Sequence, residues 1–316
     1  MTTAHPGDEG STTRPADTES SPGNATEPSY LLSIVIPAYN ERQRLPRSLK
    51  AVRRYLESQP FAAEVIVVDD GSSDGTAELV AHRAMHWRAL RLIRTVHQGK
   101  GGAVRAGLLA ARGQYTFICD ADFSMPVTEI AKFLPPRLPD PEVAIAVREG
   151  PDAHRYGEPY HRHLMGRVYN AVVKAFALPG IQDSQCGFKL IRTDIARRLA
   201  AAQTLNGWGF DVELLYLARL WGYRIDEIGI AWYYAPSSRI SPLRDTLSMT
   251  RDVLRVRRNG RRGLYDAPTR DASRDVADLP AEPPSTSVKQ ASVRQPERMS
   301  ASRAVPATPA RGRTAR

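Results

Sequence analysis

The stretch Tyr115-Thr116-Phe117-Ile118-Cys119-Asp120-Ala121-Asp122-Phe123-Ser124-Met125-Pro126 decides how this chain is read. Its apolar run is a buried strand that ends on two carboxylates one residue apart. Side chains two apart on extended backbone point the same way, so Asp120 and Asp122 are expected to form a doubly negative claw at the strand's carboxyl edge. Open α/β sheets bind their ligands at that edge. Two ionised carboxylates so close repel unless a cation sits between them, and their oxygens suit Mg2+ or Mn2+. Taken alone, the same pattern also describes a strand-to-loop turn with solvated aspartates, so the rest of the chain has to decide.

Working outward, Leu31–Ile36 is a β-branched apolar run that Pro37 is expected to stop, with Ala38-Tyr39-Asn40-Glu41 as its exit loop. Residues 45–58 read as a helix with Leu45, Leu49, Val52 and Leu56 on one face. Residues 64–68 form a second strand, whose exit loop from Asp69 to Gly75 leads into a helix over 76–85 capped by Ser73 or Asp74. A third strand at 90–93, a helix over 102–112 and the strand at 115–119 complete the alternation. That order predicts an α/β fold with a mostly parallel central sheet and helices on both faces.

Three exit loops (37–41, 69–75 and 120–126) then share one sheet edge and can converge on one ligand. Tyr39 can stack on a base, and the backbone of Pro37-Ala38 can lie against it. Asp69 or Asp70 can accept from a nucleobase N–H or a ribose hydroxyl, although Asp69 taken alone also reads as a helix cap. Gly99-Lys100-Gly101-Gly102 lacks the spacing of a Walker loop and does not directly follow a strand. A glycine turn before a helix still favours an anion, and Lys100 and Arg105 are placed to reach a diphosphate.

The chain has 316 residues, is 42% hydrophobic and carries a formal charge of +10, which favours anionic partners. Residues 1–28 and 266–316 lack apolar periodicity and read as disordered tails around a single domain at 29–265. The first tail is acidic, so the basic charge sits mainly in the domain. There are 2 cysteines, both in apolar stretches, as expected for free thiols in a reducing compartment. No run reaches the length of a spanning helix and no secretory signal is visible. The expected location is therefore cytoplasmic and peripheral.

These motifs together resemble family 2 glycosyltransferases of the GT-A (Rossmann-like, nucleotide-sugar-binding) fold. The matching blocks are Ser33–Glu41, Val67–Thr76, Gly99–Gly107 and Asp120-Ala121-Asp122. Two downstream blocks, Asp183-Ser184-Gln185-Cys186-Gly187-Phe188-Lys189-Leu190 and Trp208-Gly209-Phe210-Asp211-Val212-Glu213-Leu214-Leu215, look like the dolichyl-phosphate β-glucosyltransferase branch. The resemblance implies an inverting transfer of a sugar, from UDP-glucose or a UDP-N-acetylhexosamine, to polyprenyl or dolichyl phosphate. It assigns Pro37, Ala38, Tyr39, Glu41 and Asp69 or Asp70 to base and ribose, and Asp120, Ala121 and Asp122 to diphosphate and metal. Lys100 and Arg105 fall near the donor. Arg148, Asp183 and Gln185 fall near sugar or acceptor, although the usual G-S-R reads Ala146-Val147-Arg148 here.

Asp211 aligns with the family's general base. A phosphate monoester, with a second pKa near 6, is already largely ionised at neutral pH, so Asp211 need not remove a proton and can position cations or acceptor instead. Glu213 points to another side of the same helix. The lipid implies a membrane surface at the inner face, met directly or through a membrane-protein partner. In residues 243–262, Leu243, Leu247 and Leu254 alternate with an arginine stripe (Arg244, Arg251, Arg255, Arg258 and Arg262), which reads as a basic amphipathic helix. Tyr156, Tyr160, His161, Arg162, His163 and Arg167 form a basic-aromatic segment placed to act as a lid. Two competing readings keep part of this picture: the same donor site with a soluble or glycan acceptor, and a non-catalytic module binding nucleotide sugar or nucleic acid. Nucleic acid is disfavoured, because the carboxylate claw repels a phosphate backbone and the aromatics are not interleaved with the cations.

Overall fold

The strand that opens on Tyr115 takes its place at the centre of a mixed sheet. The computed structural model describes residues 30–234 and 242–266, with the side chains of 161–162 and 242–247 outside that description. The first half runs β1 (Leu32–Ala38), α1 (Leu45–Glu57), β2 (Ala63–Asp69), α2 (Thr76–Ala84), β3 (Leu90–Arg94), α3 (Lys100–Ala110) and β4 (Tyr115–Ile118). A 3-10 turn at Val127–Lys132 leads to β5 (Val143–Val147), β6 (His154–Tyr156) and α4 (Tyr160–Phe176). The rest comprises β7 (Lys189–Arg192), α5 (Thr193–Ala202), α6 (Phe210–Leu220), β8 (Ile225–Gly229), β9 (Ala231–Tyr233) and α7 (Pro242–Arg261).

Seven strands form one sheet in the order β3-β2-β1-β4-β7-β5-β8, and β6 pairs with β9 separately. Every ladder of the large sheet is parallel except those of β7, which runs antiparallel to β4 and β5. The order reverses between β1 and β4, and exit loops that diverge at such a point leave a crevice between them. Alternate residues of the strands serve opposite faces. Ile34, Ile36, Val65 and Val67 pack with Leu45, Leu49 and Val52 of α1, whereas Val35, Ile66 and Val68 pack with Ala103 of α3. Both faces are covered, which is why these strands are apolar throughout. Helix α3 lies close against the sheet: a Cβ on Gly107 would come within 2.3 Å of Val35 Cγ1.

Three local expectations differ from what forms, and one helix shows which face it buries. Strand β1 does not stop at Pro37 but runs to Ala38. Cys119 N–H bonds Val35 C=O on the β4 side, and residues two apart face the same neighbour, so the missing Pro37 N–H falls where β4 has already ended. Helix α3 begins at Lys100, two residues early, placing that lysine in its first turn. The cap of α2 is Gly75 at φ 86°, not Ser73 or Asp74, although the Asp74 carboxylate does accept the Thr76 N–H at 3.0 Å. In α7 the core-facing residues are Met249, Val253 and Val256, and Leu254 is 49% exposed on the other side. Leu243, Leu247 and the Arg244 side chain lie outside the described residues, as do both tails.

Candidate active site

The crevice between the β1 and β4 exits widens into a cavity of about 690 Å³, within the range of small-molecule sites. Its wall brings together Pro37, Ala38, Tyr39, Glu41, Asp70, Lys100, Asp120, Ala121, Asp122, Arg148, Asp183, Gln185 and Asp211. The expected convergence of three exit loops on one sheet edge is what forms. Asp69 and Arg105 are not on this wall.

Asp120 and Asp122 do not project from extended backbone. Strand β4 ends at Ile118, and the chain turns at once through Phe123, which has φ 45°. The two carboxylates share the cavity, but each meets its own cation. Lys100 Nζ is 2.5 Å from Asp120, and Arg44 lies 3.6 Å from Asp122 while also bonding Glu41. Burial alone would raise the Asp120 pKa, yet the Lys100 charge and hydrogen bond, aided by Lys189 and Arg148, hold it below the ordinary value. Lys100 is correspondingly held above its own, against the effect of burial. Its ammonium also sits 5.2 Å from the Trp208 ring centroid. Gly187 makes room for this arrangement, since a Cβ there would fall 2.1 Å from Asp120 Oδ2. The expected claw is therefore a pair of ion pairs. Among the described residues no group of three or more His, Cys, Asp or Glu side chains is gathered to hold a metal.

The other aspartates divide in the same way. Asp70 is buried, accepts the Gln98 and Gly99 N–H groups at 2.9 and 2.8 Å, and meets His97 Nδ1 at 2.8 Å. It fixes the loop that carries His97, whose ring stacks on Tyr39 at 4.2 Å between centroids. Asp69 accepts from Ser72 N–H and leaves Oδ1 buried without a hydrogen-bond partner among the described residues, away from the cavity wall. Arg105 is five residues beyond Lys100, more than a third of a turn round α3. Its Nε donates to Ala200 C=O near the end of α5 at 2.8 Å, so its expected reach to a diphosphate is corrected.

At the far end, Arg148 donates two hydrogen bonds to Asp183, at 2.7 and 3.0 Å. Burial lowers the Arg148 pKa and raises that of Asp183, but each charge reverses the effect on the other and both stay ionised. Arg148 and Arg155 both lie against Trp232, at 5.4 and 5.9 Å from its ring centroid. Gln185 lines the wall beside them, its N–H given to Asp183.

Asp211 is 4% exposed, with Lys189 Nζ 2.5 Å away. Lys189 is itself buried at the start of β7 and donates to Cys186 C=O at 2.6 Å. Burial pushes the Asp211 pKa above the usual carboxylate range, and Lys189 and Lys100 only partly offset it. Glu213, on the other side of α6 as expected, is fully buried and accepts from Thr204 and Leu205 N–H and from the Tyr265 hydroxyl. It ties the loop before α6 to the chain after α7. Both cysteines are buried with free thiols, and burial pushes the Cys186 thiol up to about 11.

Several wall residues carried no signal that sequence reasoning used. Lys189, buried behind the wall rather than on it, was legible as a cation opening the short apolar run Leu190-Ile191. Arg44, His97, Trp232 and Tyr169 were not, because their positions depend on contacts between distant segments. Tyr169 of α4 lines the cavity with its hydroxyl buried and, among the described residues, without a hydrogen-bond partner, beside the charges of Asp211 and Asp252. Arg167, also on the wall, forms no ion pair among the described residues.

The comparison with known proteins agrees with this geometry. Residues 33–200 match the model of glycosyl transferase family 2. The chain is 36% identical over 256 residues to a dolichyl-phosphate beta-glucosyltransferase of Drosophila melanogaster, covering 74% of this chain and 77% of that protein. It is 34% identical to the mouse (Mus musculus) protein of the same name over 257 residues, 76% of this chain and 78% of the other. Among solved structures, glucosyl-3-phosphoglycerate synthase of Mycobacterium tuberculosis in complex with UDP superimposes with a TM-score of 0.53 at 20% identity, over 74% of this chain and 80% of that one, which bears on the fold. The chain belongs to glycosyl transferase family 2 and is a glycosyltransferase.

Proposed function

We propose that the protein transfers glucose from UDP-glucose to a polyprenyl phosphate of the dolichyl type, with inversion, giving a β-linked polyprenyl-phosphate sugar. The observation that carries this reading is that one cavity joins the Asp120–Asp122 loop to a mouth where Arg167 has no carboxylate partner among the described residues. The first part suits a nucleoside diphosphate and the second an acceptor phosphate. Likeness to dolichyl-phosphate beta-glucosyltransferases over 74% of the chain supports glucose and the lipid. The UDP held by the similar solved structure supports the nucleotide.

The physical logic follows from the wall. Tyr39, stacked on His97, offers a flat face to the base next to the Pro37-Ala38 backbone, and Asp70 holds the His97–Gly99 loop in place. Lys100, at the first turn of α3, adds its charge to the helix N-terminus where a diphosphate is favoured. Asp120 and Asp122 fit Mg2+ or Mn2+ of the kind that takes one or two carboxylates and completes its shell with water and substrate phosphates. When bound, such an ion would neutralise charge on the departing diphosphate. Asp122 is the better placed ligand, since among the described residues its ion-pair partner stands off at 3.6 Å.

The acceptor phosphate, already anionic, attacks the anomeric carbon as the bond to UDP breaks, and no proton has to be removed. Asp211 accordingly serves as the counter-charge of Lys189 and keeps the floor of the site ordered. Tyr169 can donate its hydroxyl proton in a hydrogen bond to the acceptor, and Arg167 can pair with its charge. We place the protein at the inner face of a membrane; among the described residues no helix is long and apolar enough to cross one.

Competition decides between acceptors. With UDP-glucose, Mg2+ and equal amounts of a short-chain polyprenyl phosphate and 3-phosphoglycerate, the label is expected in the organic-extractable product. Label confined to a water-soluble product would overturn the lipid acceptor and leave the donor site standing.

A further inference from the structure

Helix α4 has two faces, and the cavity uses mainly one of them, with Arg167 at the boundary. Tyr169 and Val173 point inward and are buried, while Met165 and Gly166 line the cavity. Tyr160, Leu164 and Val168 recur every four residues on the outer side and are 79%, 50% and 58% exposed. On a helix of 3.6 residues per turn, Ala171 and Ala175 continue the same stripe and are also exposed. A surface residue of this size standing alone needs no explanation, but a row of them on one helix does. Exposed Lys174 borders the row, and the 17 residues of α4 contain no carboxylate at all.

Helix α7 packs beside α4, and Arg257 donates to Phe176 C=O at the α4 C-terminus. The outer side of α7, opposite Met249, Val253 and Val256, presents Leu254 between exposed Arg251, Arg255 and Arg258. Phe176 itself is 45% exposed at the junction. On α7, half-buried Asp252 lies near Arg255, while Leu254 is flanked along the helix by Arg251 and Arg258. Apolar side chains edged by cations suit a surface that is apolar within and negative at its rim.

We propose that the outer face of α4, with the Leu254 side of α7, docks on a bilayer carrying anionic lipid, and so brings the mouth of the cavity to the lipid phase. The inference rests on the reading of polyprenyl phosphate as acceptor and adds where the membrane touches the protein. Charge complementarity favours anionic lipid over an acidic protein partner, because the centre of the α4 stripe is aliphatic and aromatic with its charges at the edge. Arg167, on the cavity wall, lies one turn from Leu164 and from Ala171, so the cavity mouth borders the docking face and an acceptor whose chain stays in the bilayer has only the edge of α4 to pass.

The test compares the full chain with Leu164→Ser/Val168→Ser and with Lys174→Glu/Arg251→Glu, none of which lines the cavity. Co-sedimentation with phosphatidylcholine vesicles, with and without phosphatidylglycerol, measures docking. Both variants are expected to bind the anionic vesicles about tenfold more weakly or worse. Transfer to a short-chain polyprenyl phosphate dispersed in detergent should be unchanged, which also shows that the variants fold. Undiminished vesicle binding by both would overturn the proposal. A dimer of the parent chain that the serine variant dissolves, with no vesicle binding by either, would reassign the face to self-association and overturn it too. Vesicle binding lost in the variants, while the parent glucosylates no polyprenyl phosphate, would keep the face and remove the proposed acceptor.

Discussion

At the scale of single residues, the cavity is a set of charges that have been answered rather than left bare. Asp120 is held by Lys100 and kept in position by the missing side chain of Gly187. Gly187→Ala is expected to displace the Asp120 carboxylate and lower kcat by about 100-fold, since misplacement of about 1 Å carries that penalty. Its urea midpoint should stay close to the parent's; full activity would show that Asp120 does not need this position. Asp211 and Lys189 form a buried pair, and Lys189→Met should destabilise the fold by about 3–5 kcal/mol by leaving a buried charge unanswered. Lys189→Met/Asp211→Leu should recover much of that loss in the same urea titration.

The two readings of Asp211 separate on pH. If the acceptor phosphate is already ionised, Asp211→Asn lowers kcat but leaves the acid limb of the rate profile at the phosphate's own pKa of about 6. Loss of that limb would make Asp211 a base. Asp183 gives the complementary test of stability. Its pKa is held below 3.8 although burial opposes this, because of the Arg148 charge and hydrogen bonds. A carboxylate with a lowered folded pKa stabilises fully above its unfolded value and loses that contribution as pH falls through the folded one. The stability gap between parent and Asp183→Asn should therefore be widest near neutrality and narrow as pH falls below 3.8. A gap independent of pH would mean that the pair with Arg148 contributes nothing.

At the scale of elements, the sheet was legible because its strands are buried on both sides and the turns between them carry glycine and aspartate. The convergence of the three exit loops followed from strand order alone. What stayed hidden were details set by contacts between distant segments. The two-residue repeat of extended backbone made Asp120 and Asp122 look like a claw, but the strand ends before them and the turn at Phe123 leaves them with different cations. Helix α3 starts two residues early, which brings Lys100 to the cavity and swings Arg105 away towards α5. Arg105→Ala is accordingly expected to leave the donor KM within about twofold while removing about 1.5 kcal/mol of stability, the contribution of a charged hydrogen bond. A large rise in KM would return Arg105 to the donor. In α7 the sequence left the core face unassigned: amphipathicity gives two faces, and only packing tells which one the core takes. Here Val253 and Val256 go inward and Leu254 goes out.

At the scale of the molecule, the amino end of the sheet holds the fold and the carboxyl end holds the site. Fully buried Glu64 accepts from Ser33 Oγ, Arg112 N–H and Arg91, each at 2.7 Å. It clamps β1, β2, β3 and the chain leaving α3 at the end remote from the cavity. That clamp leaves the exit loops at the other end free to carry charge. The family was readable from the loop motifs because each lies on its own exit. The proposed acceptor side was harder to read, as that part of the cavity is built from α4, β6, β9 and the turn around Asp183, which meet only in three dimensions.

The central claim is that this cavity moves glucose onto a lipid phosphate, and the most direct measurement is the organic-extractable label formed from labelled UDP-glucose, Mg2+ and polyprenyl phosphate, with Asp122→Ala alongside. The account predicts a β-linked, lipid-extractable product from the parent chain and at least about a 100-fold loss in the folded variant. Equal product from both would contradict the role of the Asp122 carboxylate, and no lipid product from a folded parent chain that still hydrolyses UDP-glucose would contradict the acceptor.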